Sequence, residues 1–244
     1  MTYKLKVKGT IVSDDIAWIY DLFDIEHTSP KKIETALENA NGDDLEIIVN
    51  SPGGSVFDGS EIYSTLKDYP GDSTVKIVGI AASAASVIAM AGKKISMSPT
   101  AQMMIHNSAT GQYGDYRDMD KASEFLKSTN QSIINAYKIK SGKSNEELQA
   151  MMDEETWMTA QKAKEHHLID EIMFEEGYQA VAAVDSPVLP KQVIDKVRNQ
   201  GIHKPSTGID GKMLDEALTN MKQEIVNELK NNQPNKPAKN GWLF

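Results

Sequence analysis

Two short apolar runs, Leu45–Val49 and Val75–Ile80, constrain this chain most, because each leads through small residues into a helical pattern. Runs this short and this rich in β-branched residues suit strands of a covered parallel sheet. The first continues into Asn50-Ser51-Pro52-Gly53-Gly54-Ser55-Val56, the second into Ala81-Ala82-Ser83-Ala84-Ala85-Ser86. Strand, turn and helix in series predict an α/β fold with a largely parallel sheet and right-handed crossover helices.

The rest of the pattern agrees. Tyr3–Val12 alternates like an opening strand, with Leu5 and Val7 on one side and lysines on the other. Ser29-Pro30 starts a helix that runs to Ala40 and is closed by Asn41-Gly42. Asp58 and Glu61 have the spacing of a capping box for a helix carrying Ile62 and Leu66. A helix is expected from Ser83 to Ala91, ended by Gly92, with short strands at 95–97 and 102–105. Met119, Ala122, Phe125, Leu126, Ile133 and Tyr137 mark one stripe of a long helix from Tyr116 to Lys140. Ser144 and Glu147 cap a shorter helix, and Thr156–Ala160 leads into the last one. The expected domain is 1–180. Prolines at 187, 190 and 205 make 181–211 a linker, and 212–244 reads as an amphipathic helix with a flexible tail ending Trp242-Leu243-Phe244.

Composition removes several function classes. A net charge of -9 disfavours nucleic acid and anionic membranes as partners. With no cysteine, disulfides, thiol catalysis and cysteine-ligated metals are excluded. No metal or other cofactor is implied, since the adjacent pair His166-His167 cannot face one ion from a helix. The opening residues 1–12 lack the continuous apolar core of a secretory signal, and no run is long enough to span a membrane, so the expected location is the cytoplasm.

Three motifs end apolar runs in the sequence. Ser83 stands where a strand turns into a helix, so unpaired N–H groups of the first turn and the helix dipole would favour an oxyanion beside it. Gly53-Gly54 can aim backbone N–H groups into a cleft, and His106 ends Met104-Ile105-His106. In an open parallel sheet the loops after strand C-termini gather along one edge, where ligands bind. A serine, a histidine and N–H donors there are the parts of a serine hydrolase.

Taken together, N-S-P-G-G-S-V, G-x-A-A-S, M-I-H and T-A-x-x-A-x-x-x-x-L-I-D resemble the proteolytic subunit of ATP-dependent Clp protease over residues 5–175. That family shares its fold with the crotonases. The resemblance implies Ser83 as nucleophile, His106 as general base, and Gly54 and Ala84 as oxyanion-hole donors. It also implies protein substrates, a ring-shaped homo-oligomer paired through a handle at 110–140, and an ATPase unfoldase as partner. The family's third triad position is an aspartate. Here that position holds Glu155, with Asp153 as the alternative. Trp157, the doubled Ala-Ala-Ser, the altered opening and the added C-terminal helix are similar to phage Clp-like prohead proteases, which trim scaffold and capsid proteins. That branch would place the protein in the host cytoplasm or within the prohead. A housekeeping Clp subunit, an enoyl-CoA hydratase-like enzyme and a non-catalytic capsid assembly protein are the competing readings.

Overall fold

The computed structural model describes residues 1–175, so the linker and the C-terminal helix and tail lie outside the described residues. Within them the chain runs β1 (Thr2–Ile11), α1 (Asp14–Leu22), β2 (His27–Thr28), α2 (Pro30–Ala40), β3 (Asp44–Gly54), α3 (Val56–Asp68) and β4 (Ser73–Ala82). It continues α4 (Ala84–Ala89), β5 (Lys94–Met97), β6 (Gln102–Ile105), α5 (Tyr116–Ser141), α6 (Asn145–Asp153), β7 (Thr156–Thr159), α7 (Ala160–Glu165) and β8 (Glu171–Ile172).

The strands form one sheet in the order β2-β1-β3-β4-β5-β8, with β6 branching off β4 and carrying β7. Every pairing is parallel except β6 with β7. The branch arises because β4 is long: Thr74–Ile77 pair with β5, whereas Ile80–Ala82 pair with Gln102–Met104 of β6.

Burial follows residue parity along the strands. Leu5 and Val7 of β1, Ile47 and Val49 of β3, and Val75 and Ile77 of β4 are at most 1% exposed. The intervening positions are only partly covered, because one face carries a row of charge across three strands. There Glu46 pairs with Lys76 at 2.6 Å and with Lys4 at 3.5 Å. The strands therefore alternate, although β3 and β4, unlike β1, lack the strict polar alternation that would announce it.

The helix ends have local causes. Pro30 in the first turn and Asn41 in the left-handed conformation bound α2 as expected. The start of α3 differs: Ser55 is its N-cap, accepting from the Asp58 N–H, so the helix begins before the expected Asp58–Glu61 box. Ser144 and Glu147 form the capping box of α6, and Gly142 closes α5 in a left-handed turn. The stripe along α5 buries only in its second half, at Ile133, Ile134, Ala136 and Tyr137, while Met119 and Phe125 remain 41% and 51% exposed. At 1.5 Å per residue this helix is about 39 Å long, and none of its first-half side chains is buried. Helix α1 and strand β2 fill a stretch that carried no pattern in the sequence. None of the α1 side chains is buried. Among the described residues no helix is long and apolar enough to cross a membrane.

Candidate active site

Ser83 follows directly on β4 and precedes α4, with φ 55° and ψ -128°. A non-glycine residue held there costs about 1–3 kcal/mol and needs surrounding contacts to persist. Those contacts are present. The Ser83 N–H donates to the Met104 carbonyl at 3.0 Å, and its own carbonyl accepts from the Ser86 and Val87 N–H groups at 2.9 and 3.3 Å. Gly53 packs against the outside of the bend. With φ +95°, a Cβ there would lie 2.6 Å from the Ala82 carbonyl oxygen, 2.7 Å from Ser83 Cβ and 3.0 Å from Ala84 N. Only glycine allows that approach.

The histidine arrives by strand pairing. Because Ala82 opposes Met104 in the β4–β6 register, Ser83 and His106 leave neighbouring strand ends at the same edge. Ser83 Oγ and His106 Nε2 are 2.8 Å apart, within hydrogen-bond reach. Both are partly exposed and border a recess shared with Val56, Ala84, Val87, Ser108, Ile133 and Tyr137.

Gly54 stands one residue beyond Gly53, opposite Ile11 of β1. The loop is tied down from within: Ser51 Oγ donates to the Gly9 carbonyl at 2.6 Å and accepts from the Gly53 N–H at 3.1 Å. Asn50 Oδ1 accepts from the Ile80 N–H at 3.1 Å, closing the gap where the β3–β4 register slips.

Residues 25–176 match the family model described as Clp protease. The chain belongs to the Clp protease family. Two ATP-dependent Clp protease proteolytic subunits, from two strains of Bacteroides fragilis, are each 36% identical over 137 residues, which is 55% of this chain. The alignments cover 66% and 62% of those relatives, so the chain spans less than two thirds of either. The mixed α/β architecture, with its mostly parallel sheet and crossover helices, is that of the Clp protease fold.

In this Clp protease family chain the two candidate carboxylates have separate engagements. Asp153 Oδ1 accepts from Asn107 Nδ2 at 2.8 Å and from Gln149 Nε2 at 2.7 Å. Those bonds, that of Asn107 foremost, hold its carboxyl below the usual range. Glu155 Oε1 accepts from Trp157 Nε1 at 3.2 Å, and Glu155 itself is left-handed at φ 48°. Among the described residues no carboxylate is hydrogen-bonded to His106. The strand register nonetheless bears on the choice. Ile105 opposes Thr156 in the last pair of the antiparallel β6–β7 ladder, so His106 and Glu155 are the residues that leave the two strands at that end.

Sequence reading missed the contributions of Asn107, Asn130, Ser86 and Tyr137. Asn130 Nδ2 donates to Asn107 Oδ1 at 2.8 Å, and Asn130 Oδ1 accepts from the Ser108 N–H at 2.8 Å, so α5 holds the segment just after His106. Ser86 and Tyr137 meet at 2.7 Å in the interior. Residues 107 and 130, or 86 and 137, share no local pattern that would have paired them.

Proposed function

We propose that the protein is a serine endopeptidase acting through an acyl-enzyme, and the observation that carries the reading is the 2.8 Å contact between Ser83 Oγ and His106 Nε2. His106 takes the Ser83 proton as Oγ attacks the carbonyl carbon of the scissile peptide. The N–H groups of Gly54 and Ala84 receive the oxyanion. Collapse of the tetrahedral adduct expels the amine, which takes the proton back from His106, and water then hydrolyses the ester by the same steps. Glu155 orients the imidazole after turning away from Trp157. Register favours it over Asp153, whose carboxylate is already bound by Asn107 and Gln149.

The substrates are proteins and the working form is a homo-oligomeric ring, a reading supported by family membership and by the exposed apolar residues Met119 and Phe125 in the first half of α5. Within the family we favour a phage-type maturation protease trimming scaffold or capsid protein over a housekeeping subunit working with an unfoldase. Trp157, the doubled Ala-Ala-Ser and the long chain beyond residue 180 support that choice.

A fluorophosphonate probe tests the chemistry. It labels the wild-type protein at Ser83 and leaves Ser83→Ala unlabelled; an unlabelled wild type, with a cellular Clp protease reacting alongside, overturns the reading. Incubation with a candidate scaffold protein, followed by sequencing of Ser83-dependent products, separates the maturation role from the housekeeping one.

A further inference from the structure

Beside the elbow runs a buried chain of hydroxyls. Ser86 Oγ donates to the Ser83 carbonyl at 2.6 Å and lies 2.7 Å from Tyr137 Oη. Ser86 is 0% exposed and Tyr137 1%. A serine hydroxyl has one proton, and here it is committed to the Ser83 carbonyl, so Tyr137 must be the donor to Ser86. The order is therefore Tyr137 O–H to Ser86 Oγ, and Ser86 O–H to Ser83 C=O. Burial pushes the Tyr137 phenol well above its ordinary range, so it stays a donor at any pH at which the protein works.

The accepting carbonyl belongs to the peptide group whose other end is the Ala84 N–H. A trans peptide is planar, with C=O and N–H pointing in opposite directions. Gripping the oxygen from inside the fold thus fixes the direction in which the Ala84 N–H points. Hydrogen bonds in series also polarise one another, which makes that N–H a stronger donor. From this geometry we infer that Tyr137 and Ser86 are positioning residues for the oxyanion hole, acting on the transition state through the Ser83–Ala84 peptide. The inference rests on the serine-hydrolase reading and adds to it a defined task for α5: its second half anchors the group that aims the Ala84 N–H.

The test is steady-state hydrolysis of a fluorogenic peptide by wild type, Tyr137→Phe, Ser86→Ala and the double variant. Fluorophosphonate labelling of Ser83 and thermal unfolding are measured on the same preparations. Tyr137→Phe keeps the ring and Ser86→Ala keeps the backbone, so both are expected to fold. Each lowers kcat about tenfold, the factor that goes with one ordinary hydrogen bond, while KM is unchanged. The double variant matches Ser86→Ala, because removing Ser86 already breaks the chain. Ile134→Val, a neighbouring loss on α5 outside both the hydroxyl chain and the recess, lowers the melting temperature and leaves kcat at the wild-type value. Wild-type kcat in Tyr137→Phe and Ser86→Ala, with wild-type Ser83 still labelled, overturns this inference alone. So does a change confined to KM, or a kcat loss in Ile134→Val equal to theirs. An unlabelled wild type overturns the hydrolase reading and this inference with it.

Discussion

Replacing Gly53 by alanine asks whether the elbow depends on a backbone-to-backbone approach. Two costs add. At φ +95° an alanine is forced into a conformation that costs about 1–2 kcal/mol. Its methyl would also stand 2.6 Å from the Ala82 carbonyl oxygen and 2.7 Å from Ser83 Cβ, neither of which is the free end of a flexible side chain. Overpacking of this kind costs about 1–3 kcal/mol, which brings the total to about 2–5 kcal/mol. Gly42 supplies the control, since its φ is +85° but a Cβ there meets nothing within 4 Å. Gly42→Ala should lose only the conformational part, about 1–2 kcal/mol. Urea unfolding of the two variants and the wild type then isolates the crowding. Activity should separate them further: the Gly53→Ala methyl lies 3.0 Å from Ala84 N, where the oxyanion is to be received. Loss of one such donor slows acylation about 10²- to 10³-fold. Fluorophosphonate labelling rates, measured where both variants are folded, read this directly. If Gly53→Ala unfolds with Gly42→Ala and labels at the wild-type rate, the glycine is not what brings the loop and the elbow together.

Three further outcomes are expected. Glu155→Gln should lower kcat by as much as about 10⁴-fold while Asp153→Asn stays near wild type in the same peptide assay, and the reverse pattern would transfer the orienting role to Asp153. The recess beside Ser83 has a volume of about 10 Å³, room for roughly one water, so peptides with alanine before the scissile bond should be cut at least about tenfold faster than those with phenylalanine. Ile133→Ala should narrow that ratio, and equal kcat/KM for both peptides in the wild type would refute the assignment of the recess. Finally, the Lys76 ammonium, with Lys4 beside it, holds the Glu46 carboxyl below its usual range. A lowered native value stabilises the fold above the ordinary carboxylate range and loses that contribution as pH falls through it. Glu46→Gln should thus cost under about 1 kcal/mol at pH 7 and nothing near pH 2, as read by urea midpoints at both values.

What could be read in advance was whatever leaves a local mark. The glycine pair after Asn50, the serine after Ala82 and the histidine after Ile105 each interrupt an apolar run, and parallel topology brings such interruptions to one edge. Caps written in adjacent residues were legible for the same reason, as at Ser144 and Glu147. The cap of α3 was misread because Ser55 lies inside the glycine motif, three residues before the acidic pair that resembled a box. Partnerships across long separations were not legible. Ser86 looked like a duplicate of Ser83, yet one hydroxyl faces a histidine and the other a buried phenol 51 residues away. Helix α1 escaped notice because none of its side chains is buried, and hydrophobic periodicity reports only faces that a core selects.

The strand β6 has a consequence for how such a site can change over evolutionary time. It lies between β4, which delivers Ser83, and β7, which begins just after Glu155. The relative placement of three sequence-distant segments is thus set by main-chain ladders, which are indifferent to most side-chain identities. Substitutions can accumulate along these strands with little displacement of the site. An insertion or deletion of a single residue within β6 or β7 is another matter, since a one-residue slip turns every side chain beyond it to the opposite face. Lineages descending from this chain should therefore exchange apolar residues for one another across 102–105 and 156–159 while keeping their lengths fixed.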